Sequence, residues 1–249
     1  MRAALVALLL LAVVAVPAAQ AASPTASLRG RMVVIDPGHN PGDINHIDEI
    51  NRLVDYGAGT KTCDTTGTAN LNGYAEARFT LDVSQRLRAL LVAAGAKVIL
   101  THTATSPPYG PCIQQRAEIG NDAHADVAIS IHADGGPASG HGFAAIAVSA
   151  PLTHTGLTAA MVASDVRLAE AIRAVYPAAT GITPSNYLGS NGIYRSDYYG
   201  GLDWSRVPKV LVETANMRNR AEGDSLEQPA VRQRIARGIE LGLARFLSQ

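Results

Sequence analysis

The sequence predicts an α/β fold: a single domain with a twisted, mostly parallel sheet of about six strands and helices on both faces. Two observations carry this. Apolar, largely β-branched runs at 33–35, 98–100, 127–131 and 210–212 show no polar alternation, the pattern of strands covered on both sides. Stretches with apolar residues at helical spacing lie between them, and a strand–helix–strand order makes parallel, right-handed crossovers.

The chain opens on an address. Arg2 gives a short basic start, residues 4–16 are apolar, and Pro17-Ala18-Ala19-Gln20-Ala21 places small residues where a signal peptidase cuts. Residues 1–21 are therefore expected to be a secretory signal, too short for a comfortable transmembrane helix. Residues 22–31 are a small, polar, frayed lead-in, and 32–249 form one domain. The protein is expected to be exported, to periplasm, cell wall or medium, with no membrane span after cleavage.

The first core strand, from Met32, stops at Asp36-Pro37-Gly38, and His39 sits just past that turn. Residues 40–71 are rich in Gly, Asn, Asp and Thr; an irregular segment this long is usually functional. A helix follows at 74–94, with Asn72 as cap, Phe79, Val83, Leu87, Leu90 and Leu91 on one stripe, and Gly95 at its end. Glu76 lies on that stripe in the first turn, where a lone ionised carboxylate is costly unless paired or metal-bound. A strand at 97–101, a proline-rich loop at 103–111 and a helix at 113–124 come next. The strand at 127–131 is followed directly by His132. A strand at 143–148 and a helix at 158–175 precede a second long loop region, 180–207. Residues 209–212 form the last core strand, which Glu213 ends, and Pro229 opens a closing helix carrying Val231, Ile235, Ile239 and Phe246.

Lys and Arg together number 21, as do Asp and Glu. This balance offers no basic stripe for nucleic acid and no acidic tail. Two cysteines in an exported chain favour a Cys63–Cys112 disulfide over two free thiols.

His39, His132 and Glu213 each stand at the carboxyl end of an expected core strand, and Glu76 at the start of a helix. A parallel sheet delivers such positions to one edge, where ligands bind. Two histidines and a glutamate suit a catalytic zinc ion with a water in its fourth place. On this reading His39, Glu76 and His132 bind one Zn2+, and Glu213 is the base. Taken singly, each residue has a plainer role: the histidines as hydrogen-bonded loop residues, Glu76 complementing a helix N-terminus, Glu213 pairing with Arg218. His46, His102, His124, His141 and His154 lack strand-end placement and are read as surface or loop residues. Ser130 has no Gly-x-Ser-x-Gly elbow around it and is not read as a nucleophile.

Three segments, Ile35-Asp36-Pro37-Gly38-His39, Ser130-Ile131-His132-Ala133-Asp134 and Pro208-Lys209-Val210-Leu211-Val212-Glu213, resemble the zinc-dependent N-acetylmuramoyl-L-alanine amidases of bacterial cell walls. Arg116, Ala117 and Asn121 ahead of Ala125-Asp126 are similar to that family's pattern as well. The likeness is to compact mycobacterial members without a wall-binding module. It implies zinc at His39, Glu76 and His132, a catalytic Glu213, and hydrolysis of the amide between N-acetylmuramic acid and L-alanine in peptidoglycan or muropeptides; a monomer is expected. The rivals are a zinc exopeptidase acting on stem peptides and a non-catalytic wall-binding module. The sequence departs from the family at Asn40-Pro41-Gly42-Asp43, in the long segment to Leu71, at Asp134, and at Thr214-Ala215. Some members hold an inhibitory glutamate on the metal; between Ala133 and Val212 the only glutamate is Glu170, on a helix with its own apolar stripe, so the site is expected to be open.

Overall fold

The structure, a computed structural model, describes residues 25–249; the expected signal segment lies outside the described residues. In chain order the elements are β1 (Met32–Pro37), α1 (Ile47–Asn51), β2 (Leu53–Asp55), β3 (Thr60–Thr62), α2 (Glu76–Ala93), β4 (Lys97–Leu100), α3 (Ile113–Asp122), β5 (Val127–Asp134), β6 (Ala144–Val148), α4 (Ala159–Thr180), β7 (Ile193–Ser196), α5 (Gly200–Asp203), β8 (Lys209–Asn216), α6 (Arg220–Leu226) and α7 (Pro229–Leu247). Six strands form one sheet in the order β4-β1-β5-β8-β6-β7. Every pairing is parallel except β6 with β8. No described helix is long and apolar enough to cross a membrane.

The two faces differ. Val33 and Ile35 of β1, Ile129 and Ile131 of β5, and Val210 and Val212 of β8 point into one large core with Phe79, Val83 and Leu87 of α2, Leu168 and Ile172 of α4, and Ile235, Ile239 and Leu243 of α7. Gly238 and Gly242 of α7 let α4 approach closely; a Cβ on Gly242 would stand 2.7 Å from Ile172 Cγ1. The intervening residues face the other way. There Val34 and Ala128 pack under α3 and Val207 in a small cluster, and Ile146, Val148 and Leu211 join Leu202 of α5 in another.

Several sequence expectations shift. The last core strand does not end at Glu213: β5 and β8 run on to Asp134 and Asn216, and His132 pairs with Glu213 across the ladder. Between His132↔Glu213 and Asp134↔Asn216 the register shifts, with one extra residue on β8, beside the site where bulges often occur. Asn72 is not the cap of α2. Ala75 holds that position without a side-chain bond, and the Asn72 amide donates to Asp224 and Glu227 instead. The α4 helix passes through Pro177 to Thr180, because Tyr176 and Thr180 are buried and packing overrides the local breaker. Residues 40–71 are not structureless: they hold α1 and the antiparallel β2–β3 hairpin. The 180–207 region likewise contains β7 and α5. In the lead-in, Leu28 is fully buried and Ser27 Oγ donates to Ala244 O at 2.6 Å, so its described part is docked rather than frayed. His102 is a loop residue, as expected, but a buried one: its Nε2 lies 3.0 Å from Pro37 O and its Nδ1 3.1 Å from Thr103 O. The folding of the proline-rich loop over the end of β1 encloses it.

Candidate metal centre and catalytic cleft

Side-chain alternation builds the cleft. On β1, Asp36 follows Val34; on β5, Ser130, His132 and Asp134 follow Ala128; on β8, Leu211 and Glu213 follow Lys209. These residues share the α3 face, and Asp36, Ser130, His132, Asp134, Leu211 and Glu213 all line one cleft of about 330 Å3. His39 arrives from the turn after β1. Glu76 reaches over the sheet edge from the first turn of α2.

His39, Glu76 and His132 each place one donor atom so that all three lie within 4.8 Å of one another. His39 Nε2 is 3.1 Å from Glu76 Oε2, and His132 Nδ1 is 3.0 Å from Glu76 Oε1. The two imidazole centroids are 5.0 Å apart and edge-on. His39 and Glu76 are held from behind. His39 Nδ1 faces Thr65 O at 2.7 Å; a carbonyl only accepts, so Nδ1 carries a proton, which leaves Nε2, the atom turned toward Glu76, as the nitrogen that can ligate. Glu76 accepts from the backbone N–H of Thr68 at 3.0 Å and of Ala133 at 3.2 Å. Thr80 Oγ1 donates to Gly38 O at 2.7 Å, tying α2 to the turn that aims His39.

The backbone is shaped to this cluster. His39 has φ +58°, a left-handed conformation uncommon outside glycine and often found at functional sites. Gly38 lies against the His132 ring: a Cβ there would stand 2.4 Å from Cε1. Gly67, at φ +73°, lies against His39 and Glu76, where a Cβ would approach within 2.7 Å and 2.8 Å.

The electrostatics fit a bound cation. Burial opposes charge on His39, yet Glu76 and Asp64 overcome it and raise its pKa well above the usual imidazole range. Burial also works against ionised Glu76, but the two histidines hold it well below the carboxylate range. A carboxylate between two imidazoles thus demands positive charge among its donor atoms. Two nitrogens and one carboxylate match the ligand set of a catalytic zinc site. Glu213 is the opposite case: burial, then Glu76 and Asp134, push its pKa well up, and its Oε2 is buried without a hydrogen-bond partner among the described residues.

Beneath the cleft runs an ion network the sequence did not reveal. Arg116 Nη1 donates to Asp36 Oδ1 at 2.9 Å and Nη2 to Asp64 Oδ2 at 2.6 Å. Lys209 Nζ donates to Asp36 Oδ2 at 3.0 Å, and so does Ser130 Oγ. Burial would raise the Asp36 pKa, but Lys209 and Arg116 hold it far below the carboxylate range. Asp64 Oδ1 in turn lies 3.6 Å from His39 Nδ1. Cys63 and Cys112 are joined, with S–S 2.05 Å. The bond anchors the β2–β3 hairpin at the start of α3, immediately before Asp64 and one turn before Arg116. Arg218 is not the partner of Glu213, and Glu170 is exposed on α4, outside the cleft lining. The polar ends of β1 and β8, Asp36 and Lys209, were the sequence signal for the network; nothing local announced that the 40–71 segment folds back onto α3.

The profile of the N-acetylmuramoyl-L-alanine amidase family matches residues 33–245. The N-acetylmuramoyl-L-alanine amidase Rv3717 of Mycobacterium tuberculosis is 38% identical over 236 residues, covering 94% of each chain. Among solved structures, the N-acetylmuramyl-L-alanine amidase Ami1 of Mycobacterium smegmatis aligns with a TM-score of 0.81 at 38% identity, over 89% of this chain and 99% of that one. Ami1 of Mycobacterium abscessus gives 0.80 at 39% identity, over 88% and 99%.

Proposed function

This chain belongs to the N-acetylmuramoyl-L-alanine amidase family, and we propose that it is an exported, zinc-dependent hydrolase of the amide joining the lactyl group of N-acetylmuramic acid to L-alanine. Its substrates are peptidoglycan or muropeptides. The observation that carries the reading is the grouping of His39, Glu76 and His132 donor atoms within 4.8 Å, in one cleft with Glu213.

His39 and His132 would hold the ion through neutral ring nitrogens and Glu76 through its carboxylate. When bound, zinc supplies a Lewis acid that polarises the scissile carbonyl and lowers the pKa of water toward about 7. Glu213 takes the proton from the attacking water, a role suited to a carboxylate whose basicity is raised by burial and by neighbouring acids. Attack on the carbonyl carbon forms a C–O bond. The protonated Glu213 then donates to the amide nitrogen as the C–N bond breaks, leaving a lactyl carboxylate and the free amine of L-alanine. The Thr65 carbonyl keeps His39 in one tautomer throughout.

The test is hydrolysis of a purified N-acetylmuramoyl-peptide, followed by mass and by the appearance of a free L-alanine amine. Cleavage should vanish with a chelator and return with zinc. Equal cleavage of the same peptide without the sugar would make the protein an exopeptidase. Binding without any cleavage would make it a wall-binding module.

A further inference from the structure

We propose that Lys61 determines specificity by pairing with a free carboxylate of the leaving stem peptide; this rests on the amidase reading. The cleft is strongly acidic, with Asp36, Asp64, Glu76, Asp134 and Glu213 in its lining. Among the described residues that line it, the lysine and arginine cations are Lys61 and Arg116. Arg116 is spent: its Nε donates to Pro111 O, Nη1 to Asp36 and Pro37 O, and Nη2 to Asp64. Lys61 is not. Its Nζ donates to Tyr198 O at 3.1 Å and sits 3.5 Å from the Tyr198 ring centroid, so an ammonium with three donors keeps one for a ligand. The acid whose charge acts on it, Asp203, is buried with both oxygens lacking hydrogen-bond partners among the described residues. Burial and then Asp197 push that carboxyl up to about 8, so it neutralises little of the Lys61 charge at neutral pH.

The substrate's chemistry supplies the missing anion. N-acetyl sugars are neutral, whereas a stem peptide carries carboxylates. Lys61 precedes Asp64 by three residues, so at about 3.3 Å per residue their backbones are at most roughly 10 Å apart, and Asp64 Oδ1 lies 3.6 Å from His39 Nδ1. An extended peptide spans that distance with its second or third residue beyond the cut. An anion placed anywhere nearer would meet the acidic residues.

The alternative role is a latch, with Lys61 holding the hairpin to the segment around Tyr198. The experiment separates the two. Two N-acetylmuramoyl-peptides are compared, identical except that the carboxyl groups beyond L-alanine are free in one and carboxamides in the other. For the wild type, kcat/KM should favour the free acid by about tenfold, mainly through KM, the scale of a half-exposed charge-assisted hydrogen bond. In Lys61→Gln that preference should collapse to within about twofold, and Lys61→Arg should restore part of it. A wild type that cleaves both equally overturns the proposal. So does a Lys61→Gln enzyme slowed on both substrates with the preference intact, which identifies a latch. Failure to cleave either substrate overturns the amidase reading itself, and this inference with it.

Discussion

The two faces of the sheet have been given different work. The face under α2, α4 and α7 is apolar along β1, β5 and β8. The opposite face, under α3 and α5, begins apolar at Val34 and Ala128 and turns polar toward the strand ends, with Asp36, Ser130, His132 and Glu213. One face supplies burial, at about 1.5–3 kcal/mol per large side chain. The other carries charges that would be costly if unpaired, and it stays tolerable because Arg116 and Lys209 pair with Asp36. The contrast teaches that the polar face rests on salt-bridge geometry where the apolar face rests on volume. Substitutions should therefore fail in different ways on each.

The largest break is expected on the polar face. Glu213→Gln should lower kcat by about a thousandfold, within the range for loss of a general base, while bound zinc measured by elemental analysis stays at one ion. His132→Ala should instead strip the zinc; an unchanged metal-to-protein ratio would remove it from the ligand set. Next comes Arg116→Met, which leaves Asp36 and Asp64 without their shared cation and should cost about 3–5 kcal/mol in chemical denaturation. A loss below about 1 kcal/mol would mean the network is not what holds this face together.

On the structural face, Ile172→Ala should cost about 2–4 kcal/mol through transfer and cavity terms, with kcat per folded molecule unchanged. A drop in kcat there would erase the division of labour. The finest test compares two buried carboxyls. Asp36 has two cations. Asp165 accepts only from Lys209 N–H, at 2.9 Å, and burial raises it from 3.8 to about 7. As pH rises from about 4 to 7, the unfolded Asp165 ionises while the folded one keeps its proton, so its contribution favours folding less and levels off above 7. Asp165→Asn lacks this slope and should gain stability over the wild type between pH 4 and 8, on the order of 1–2 kcal/mol. Denaturation at both pH values checks the sign.

Much of the site was legible, though for a partly mistaken reason. The positions of His39, Glu76, His132 and Glu213 follow from strand and helix placement, although strand ends are not where all of them lie. In fact His132 and Glu213 sit inside β5 and β8. Their period-two pattern was masked because Ala128 and Leu211 on the same face are apolar. The network through Asp64, and the place of Lys61, were not legible, since both depend on a long segment returning to α3 and being bonded there. The last turn of α4, through Pro177, was not legible because burial of Tyr176 outweighs local propensity. His102 was hidden because its cover comes from a proline-rich loop whose path no periodicity encodes.

The side-by-side pairing of His132 with Glu213 also acts as a proofreader of assembly. A slip of β8 by one residue against β5 would turn Glu213 into the apolar core and bring Val212 out to the cleft, and would swing the Lys209 ammonium away from Asp36. Misregistered chains would bury unpaired charge and take Glu213 out of the cleft in the same step, so faulty pairing and a faulty cleft are excluded together.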